Sequence, residues 1–377
     1  MPKTAFRRAA RSAIGASLVV LLLAMSIVPT DAGARGVSPY LPLNISPDME
    51  RNIERVLVLA NQPILRRPIP VALVLDALPK ACQRDADLCE VVKGHLESYL
   101  RSYGVTSLRA QLAYAKGSSH VAIPNQHGLT VDSTWQVNAS AYLQPADYFI
   151  LNGGGIATGM RATPAGSFAS LGFNWAQLDV GFRDHWFSPL NDSGLMSTEA
   201  PTMPSASLSN TEPMTPLGVT YEVFLAELSR QEDIAYFDST KSGRPRLADL
   251  QLGFEPAAGY ALGVNRLFQY GGGARGGTGV SEFLDALYKN SNKPDVLGQS
   301  REFGNQEAAL SSSLIFPGRS PFAIHMQYGG EDNAYGGSYR LGDTVFTLGI
   351  DLPVLFERFD WSYEISEWQD LWYIHHH

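Results

Sequence analysis

The chain has 377 residues, 45% hydrophobic and 18% charged, with a net charge of −8 and a mean hydropathy of −0.09. That hydropathy excludes a helical membrane protein but is nearly blind to transmembrane strands, whose two faces average out. An acidic balance without any basic run excludes a nucleic-acid binder.

Lys3, Arg7, Arg8 and Arg11 precede an apolar run from Ala13 to Val28, and Ala32-Gly33-Ala34 supplies the small residues of a cleavage site. The pattern predicts a secretory signal peptide over residues 1–34, cut after Ala34. Its removal takes a net +3 from the total of −8 and leaves −11. Export places Cys82 and Cys89 in an oxidising compartment, where CQRDADLC closes a small loop. A disulfide there is worth roughly 2.5 kcal/mol on the chain-entropy account. A metal pair is the rival, but no His or further Cys sits beside them.

Residues 35–104 read as a small helical bundle. Ser46 is a cap and Pro47 fills the first helical position, after which Met49, Ile53, Val56, Leu57 and Ala60 form one stripe. A second helix opens at Pro70, with Leu73, Val74, Ala77 and Leu78 facing inward. A third begins near Asp85 or Asp87, carries Leu88, Val92, Leu96, Tyr99 and Leu100, and stops at Gly104. Some 60 residues are too few to stand alone, so the bundle is expected to pack on something.

Beyond Gly104 the period changes to two. In TWQVNASAYLQ, Trp135, Val137, Ala139, Ala141 and Leu143 point one way, and Gln136, Asn138, Ser140, Tyr142 and Gln144 the other. The same beat returns in SFASLGFNWAQLDVGF, VTYEVFLAEL, LADLQLGF, YALGVNRLFQY, PFAIHMQYGG, TVFTLGIDL and FDWSYEIS. About fourteen strands are expected over residues 105–377, many of them long enough to cross a bilayer at a tilt. Trp135, Tyr148, Phe149, Trp186, Phe187, Phe268, Tyr270, Phe322, Tyr328 and Trp372 suit an interfacial girdle. The fold class is therefore all-β with a small α-helical subdomain: a transmembrane antiparallel β-barrel whose apolar face meets lipid and whose polar face lines a lumen. GGGARGGTGVSEFLDALYKNS breaks the beat with a helix near residues 278–290, expected to fold into or over the barrel mouth.

Three stretches then carry a resemblance. GFRDHWFSPLNDSGLMSTEAPTMPSASLSNTEPMT (Gly181–Thr215), VSPYLPLNISPDMERNIERVLVLANQPILRRPIP and EWQDLWY are similar to the Wzi family of capsule-assembly proteins. The resemblance implies an outer-membrane barrel with a periplasmic helical bundle, acting as a non-catalytic lectin that holds capsular polysaccharide at the cell surface. No cofactor is expected, and the protein is expected to be a monomer. The family barrel has eighteen strands against the fourteen counted, and the chain ends in IHHH, so the sequence is expected to stop before the last strands. The terminal histidines are given no metal role.

For the polymer, Arg183 is the leading candidate, since a guanidinium grips a carboxylate with two parallel hydrogen bonds. Asp184, His185 and Trp186 adjoin it. The competing reading makes Arg183 and Asp184 members of lumenal ion pairs. Trp361, Tyr363 and Trp368, with Glu364 and Glu367, form a second cluster, though Trp361 and Tyr363 share a strand face with Phe359 and Ile365 and so suit lipid. The pairs Glu364/Glu367 and Asp179/Asp184 raise a glycosidase as a third function class. A porin or export channel is the second. GGGARGGTG lacks the Lys-Ser/Thr of a phosphate loop.

Overall fold

The computed structural model describes residues 36–112, 123–124, 130–131, 133–159, 161–196, 200–236, 239–288, 304–331, 341–355 and 359–369. The expected signal peptide, Trp372 and the terminal histidines lie outside the described residues.

The helices follow local rules. α1 (Pro47–Leu59) starts where Ser46 Oγ accepts the Met49 amide at 3.2 Å. α2 (Val71–Ala81) follows Pro70. α3 (Ala86–Leu96) is capped by Asp85, which accepts the Leu88 amide at 2.9 Å. Cys82 and Cys89 are joined as a disulfide, Cα atoms 5.1 Å apart, linking the end of α2 to the first turn of α3. Ile53, Val56, Val74, Leu88, Val92 and Leu96 share one buried core. Leu100, expected in that core, is exposed: it belongs to a 3₁₀ turn (Glu97–Leu100) whose tighter winding breaks the stripe.

From Tyr103 the chain is strand. The path runs β1 (Tyr103–Leu112), β2 (Trp135–Ala146), β3 (Phe149–Thr158), β4 (Phe168–Phe173), β5 (Ala176–Gly181), β6 (Ser205–Ser209) and β7 (Thr220–Glu227). It continues through β8 (Arg246–Ala257), β9 (Tyr260–Tyr270), β10 (Gly304–Phe316), β11 (Phe322–Glu331), β12 (Gly342–Leu355) and β13 (Phe359–Trp368). Each pairs antiparallel with its neighbour in chain order, and Ala162–Thr163 beside β3 completes a fourteen-stranded sheet. Among the described residues the sheet is open between β1 and β13. Two short ribbons stand apart, Ile123–Pro124 with Thr130–Val131 and Gln231–Tyr236 with Ser239–Gly243. The run SFASLGFNWAQLDVGF is a hairpin rather than one long strand, since it turns between Phe173 and Ala176.

The two faces of the sheet are inverted relative to a soluble protein. On β2, Trp135, Val137 and Leu143 are exposed, while Gln136, Asn138 and Tyr142 opposite them are buried. The inversion recurs: Leu178 and Val180 are exposed beside buried Gln177 and Asp179, and Leu252 beside buried Gln251. Water would drive the apolar face inward, whereas hydrocarbon stabilises it outside.

The two ends of the sheet differ. The turns at 147–148, 174–175, 258–259 and 317–321 and the connection 210–219 lie at the end that carries the helical unit; β1, β5, β7 and β9 end at the other, where 18 or more residues separate each from the next strand of the path. Val37 N donates to Asp147 O at 2.7 Å and Arg84 to Gly318 O at 3.3 Å. Gly259 turns with φ +80°, a conformation that favours glycine, and its bare Cα lets the Asn61 side chain of the helical unit lie against it. Tyr142 of β2 and Ile150 of β3 complete the core of that unit, which supplies the packing its size requires.

Two expectations are corrected. Trp186 and Phe187 are fully buried inside and form no girdle, because the connection carrying them turns inward. The helix α4 (Val280–Tyr288) does not enter the mouth. Its Phe283, Ala286 and Leu287 pack on Ala248, Leu250, Phe268 and Tyr270, which lie on the outward face of β8 and β9.

Candidate functional site

The barrel interior is organised around Glu222. Alternation on β7 turns Glu222, Phe224 and Ala226 inward and Leu225 outward. The 182–204 connection leaves β5 and doubles back into the lumen, bringing Arg183 and His185 to this carboxylate. Arg183 Nη2 pairs with Glu222 Oε1 and donates to Ser207 Oγ at 3.0 Å. Its Nε lies 3.3 Å from Asp179 Oδ2, and its guanidinium covers the Tyr40 ring at 4.9 Å. The Tyr40 hydroxyl donates to Asp179 Oδ2 at 3.1 Å. Arg66 holds the second oxygen of Glu222 at 3.2 Å.

His185 lies flat on Phe224, with ring centroids 4.2 Å apart. Its Nδ1 is 2.7 Å from Glu222 Oε1 and its Nε2 3.0 Å from Ser205 Oγ. The pairing assigns the proton to Nδ1, donated to the carboxylate, with Nε2 accepting from the serine. Burial, then the adjacent positive charge of Arg183, hold the imidazole below its ordinary pKa, so it stays neutral. Burial opposes the charge on Arg183 as well, but Glu222, Tyr40 and Asp179 more than offset it and raise that pKa.

Further along, the connection is tied to distant walls. Trp186 pairs its backbone with Arg67 in an antiparallel bridge, donates Nε1–H to Leu190 O at 2.9 Å, and lies under the Arg67 guanidinium at 4.7 Å. Arg67 in turn pairs with Glu50 and Glu54 of α1. The amides of Asn191 and Asp192 donate to Glu364 of β13 at 2.9 and 3.2 Å. The Gly194 amide donates to Gln327 of β11 at 3.0 Å. A segment bonded at once to β5, β7, β11 and β13 requires the sheet to curl around it. Arg51 fastens α1 to the same wall, 2.7 Å from Asp351 and 2.5 Å from Asp360, with His325 3.0 Å from Asp351.

Arg183, His185 and Trp186 are thus brought together, but as struts. Arg183 is 2% exposed and its guanidinium is shared among protein groups, which is the ion-pair reading of this residue and leaves no face for a polymer. Asp184 points to Thr202, whose hydroxyl donates to it. The Trp361–Tyr363 stack, 5.9 Å apart, shares the outward face of β13 with Phe359 and Ile365. Trp368 has the opposite parity, that of Glu364 and Ser366, so the second cluster splits between the outward and inward faces of the sheet. Of the glycosidase pairs, Asp179 is bound to Arg183 and Glu364 to backbone amides. Tyr40, Arg51, Arg66, Arg67 and Glu222 were missed from sequence. Glu222 had a signal, an acidic residue at an inward position of an alternating strand, but its partners are too remote in the chain to be read.

A cavity of about 50 Å³ lies between Gln62, Arg66, Asn210, Thr211 and Glu255. It has room for a few waters, not for a sugar ring. The arrangement is a cross-braced plug.

The search of solved structures gives a match to Wzi of Escherichia coli, described as an outer membrane protein involved in group 1 capsule assembly and a carbohydrate-binding β-barrel. The TM-score is 0.54 at 15% identity, over 85% of this chain and 68% of that one. At that identity the likeness concerns the fold. No curated protein matches the chain. Residues 94–366 match the family profile described as capsule assembly protein Wzi. The chain belongs to the Wzi capsule assembly family.

Proposed function

We propose that the protein is a non-catalytic outer-membrane lectin that holds capsular polysaccharide on the cell surface. The observation that carries this is the combination of a lipid-type exterior with a lumen filled by paired charges. Short turns and the helical unit face the periplasm, and the long connections face outward, as in outer-membrane barrels generally. Conduction, the porin or export-channel reading, is opposed by Arg51, by the Arg67–Trp186 bridge and by Arg183, which tie the helical unit and the inward connection to each other and to the wall.

The polymer then binds at the outer end. There the ribbon Gln231–Tyr236/Ser239–Gly243 is flanked by Arg230, Arg244 and Arg246, with Lys241 on the ribbon itself. Arg230 and Arg244 are more than half exposed, paired with Glu232 at 3.1 Å and with Glu227 at 3.0 Å. These exposed pairs, with Lys241 beside them, offer both signs of charge and many hydrogen-bonding groups to a hydrated polysaccharide.

The test is a deletion strain scored for cell-bound, released and intracellular polymer. Retention by a lectin requires unchanged total polymer with more of it free in the medium. Intracellular accumulation would show an export channel instead, and altered chain length with new reducing ends a glycosidase. Restoring the gene with Arg230→Ala, Lys241→Ala and Arg244→Ala together should leave the release phenotype partly uncorrected. Single changes should do less, since a long polymer holds through many weak contacts.

A further inference from the structure

The outward face of β9 holds a charge where lipid is expected. Alternation puts Tyr260, Leu262, Val264, Arg266, Phe268 and Tyr270 on one side, and Val264 is 44% exposed there. Eleven residues at about 3.4 Å each, tilted by ~40°, span about 28 Å, close to the ~25 Å apolar band of such barrels. Arg266 therefore sits near mid-height on the lipid side, where a bare guanidinium is among the least tolerated groups.

It is not bare. Arg266 donates to Leu287 O at 2.5 Å and Ala286 O at 3.1 Å, the carbonyls at the C-terminal end of α4, and lies 5.5 Å over Phe268. Gln306, its neighbour from β10, accepts from it as well, at 3.2 Å from Nε. A cation at a helix C-terminus meets both the free carbonyls and the negative end of the dipole. α4 is thus clamped flat against the outer wall, over the half of the band nearer the long connections.

Once Phe283, Ala286 and Leu287 are spent on the wall, the helix still carries a second apolar stripe. Val280, Leu284 and Tyr288, spaced by four, are 75%, 44% and 55% exposed. That stripe continues the exposed surface formed by Leu252, Val264 and Leu310 just below it. The remaining flank carries Ser281 and Asp285, both exposed, so the helix has one apolar edge to turn to lipid and one polar edge to turn to the headgroups.

We propose that α4 is an interfacial helix whose Val280–Leu284–Tyr288 stripe packs against the acyl chains of the outer leaflet while Ser281 and Asp285 face the headgroups, held there by Arg266. This placement rests on the outer-membrane barrel proposed above. The helix widens the barrel's lipid contact.

The test uses full-length protein in phosphatidylcholine–phosphatidylglycerol vesicles, with an environment-sensitive fluorophore on single introduced cysteines. Leu284→Cys and Val280→Cys report on α4 and Leu252→Cys on the barrel wall, the native cysteines being joined to each other. Labels at 280 and 284 should be quenched by acyl-chain nitroxide lipids to the extent seen at 252, and spared by aqueous iodide. In Arg266→Leu, lipid quenching should fall at 284 and persist at 252. Iodide quenching at 280 and 284 with lipid quenching at 252 would overturn the lipid-packed helix and leave the barrel standing. Loss of lipid quenching at 252 as well would overturn both. Lipid quenching at 284 that Arg266→Leu leaves unchanged would overturn the clamp.

Discussion

Arg183 and Glu222 stand 39 residues apart in sequence and meet as an ion pair in which each side chain is 2% exposed. The pair joins the inward 182–204 connection to the wall of the barrel, and Arg66 attaches the helical unit to the same carboxylate. One glutamate thereby couples three parts of the chain.

Removing Arg183 should cost more than a missing contact. Arg183→Ala leaves Asp179 buried without its cation and Glu222 with Arg66 alone, a loss on the order of 3–5 kcal/mol for a broken buried pair. Arg183→Met with Glu222→Gln should recover part of it. Urea titrations followed by the heat-modifiable gel shift would show the order wild type, double variant, single variant. Polysaccharide retention by whichever Arg183→Ala protein folds should be normal; a folded variant that fails to retain polymer would return Arg183 to the binding surface.

The buried His185 predicts a pH dependence of one sign. Its folded pKa is lowered by burial and by Arg183, so only the unfolded chain takes up the proton as the medium acidifies. Its contribution is complete above the unfolded value of about 6.5 and is lost as pH falls towards the folded value, at up to roughly 1.4 kcal/mol per pH unit. Comparing gel-shift midpoints at pH 7.5 and 5 for wild type and His185→Asn isolates this group from the carboxylates. A difference between the two proteins that does not change with pH would contradict the neutral buried imidazole.

Arg51 ties α1 to β12 and β13 through Asp351 and Asp360. Hydrogen bonds to charged partners contribute about 1.5–3 kcal/mol each, so Arg51→Ala should raise the open fraction of the plug by tenfold or more. Planar-bilayer recordings should show a nearly silent wild type and frequent openings in the variant. Equal conductance in both would mean that α1 is not the part that moves.

The Cys82–Cys89 link makes a local prediction. Denatured native protein should show no alkylatable thiol, and Cys82→Ser with Cys89→Ser should loosen the α2–α3 junction by roughly 2.5 kcal/mol. Faster trypsin cleavage at Arg84 and Lys93, with the β-barrel gel shift intact, would be the sign. Two free thiols in the native protein would refute the link.

Local order was legible because it is written at short range. Ser46 and Asp85 cap helices through amides three residues on, and the alternation from Trp135 to Leu143 states which side of β2 is apolar. Chain order even supplied the sheet, since every strand pairs with its neighbour in sequence. What the alternation could not state was the partner of each inward charge. That Arg183 meets Glu222, or Arg51 meets Asp351, depends on the sum of many registers and on a connection that bends back into the lumen. The same limit hid α4. Its stripe of Phe283 and Leu287 called for an apolar wall, and a barrel has an outer wall as well as a mouth. Arg266, an outward cation awaiting carbonyls, decided between them, and its position opposite the end of α4 exists only once β9 and the helix are both folded.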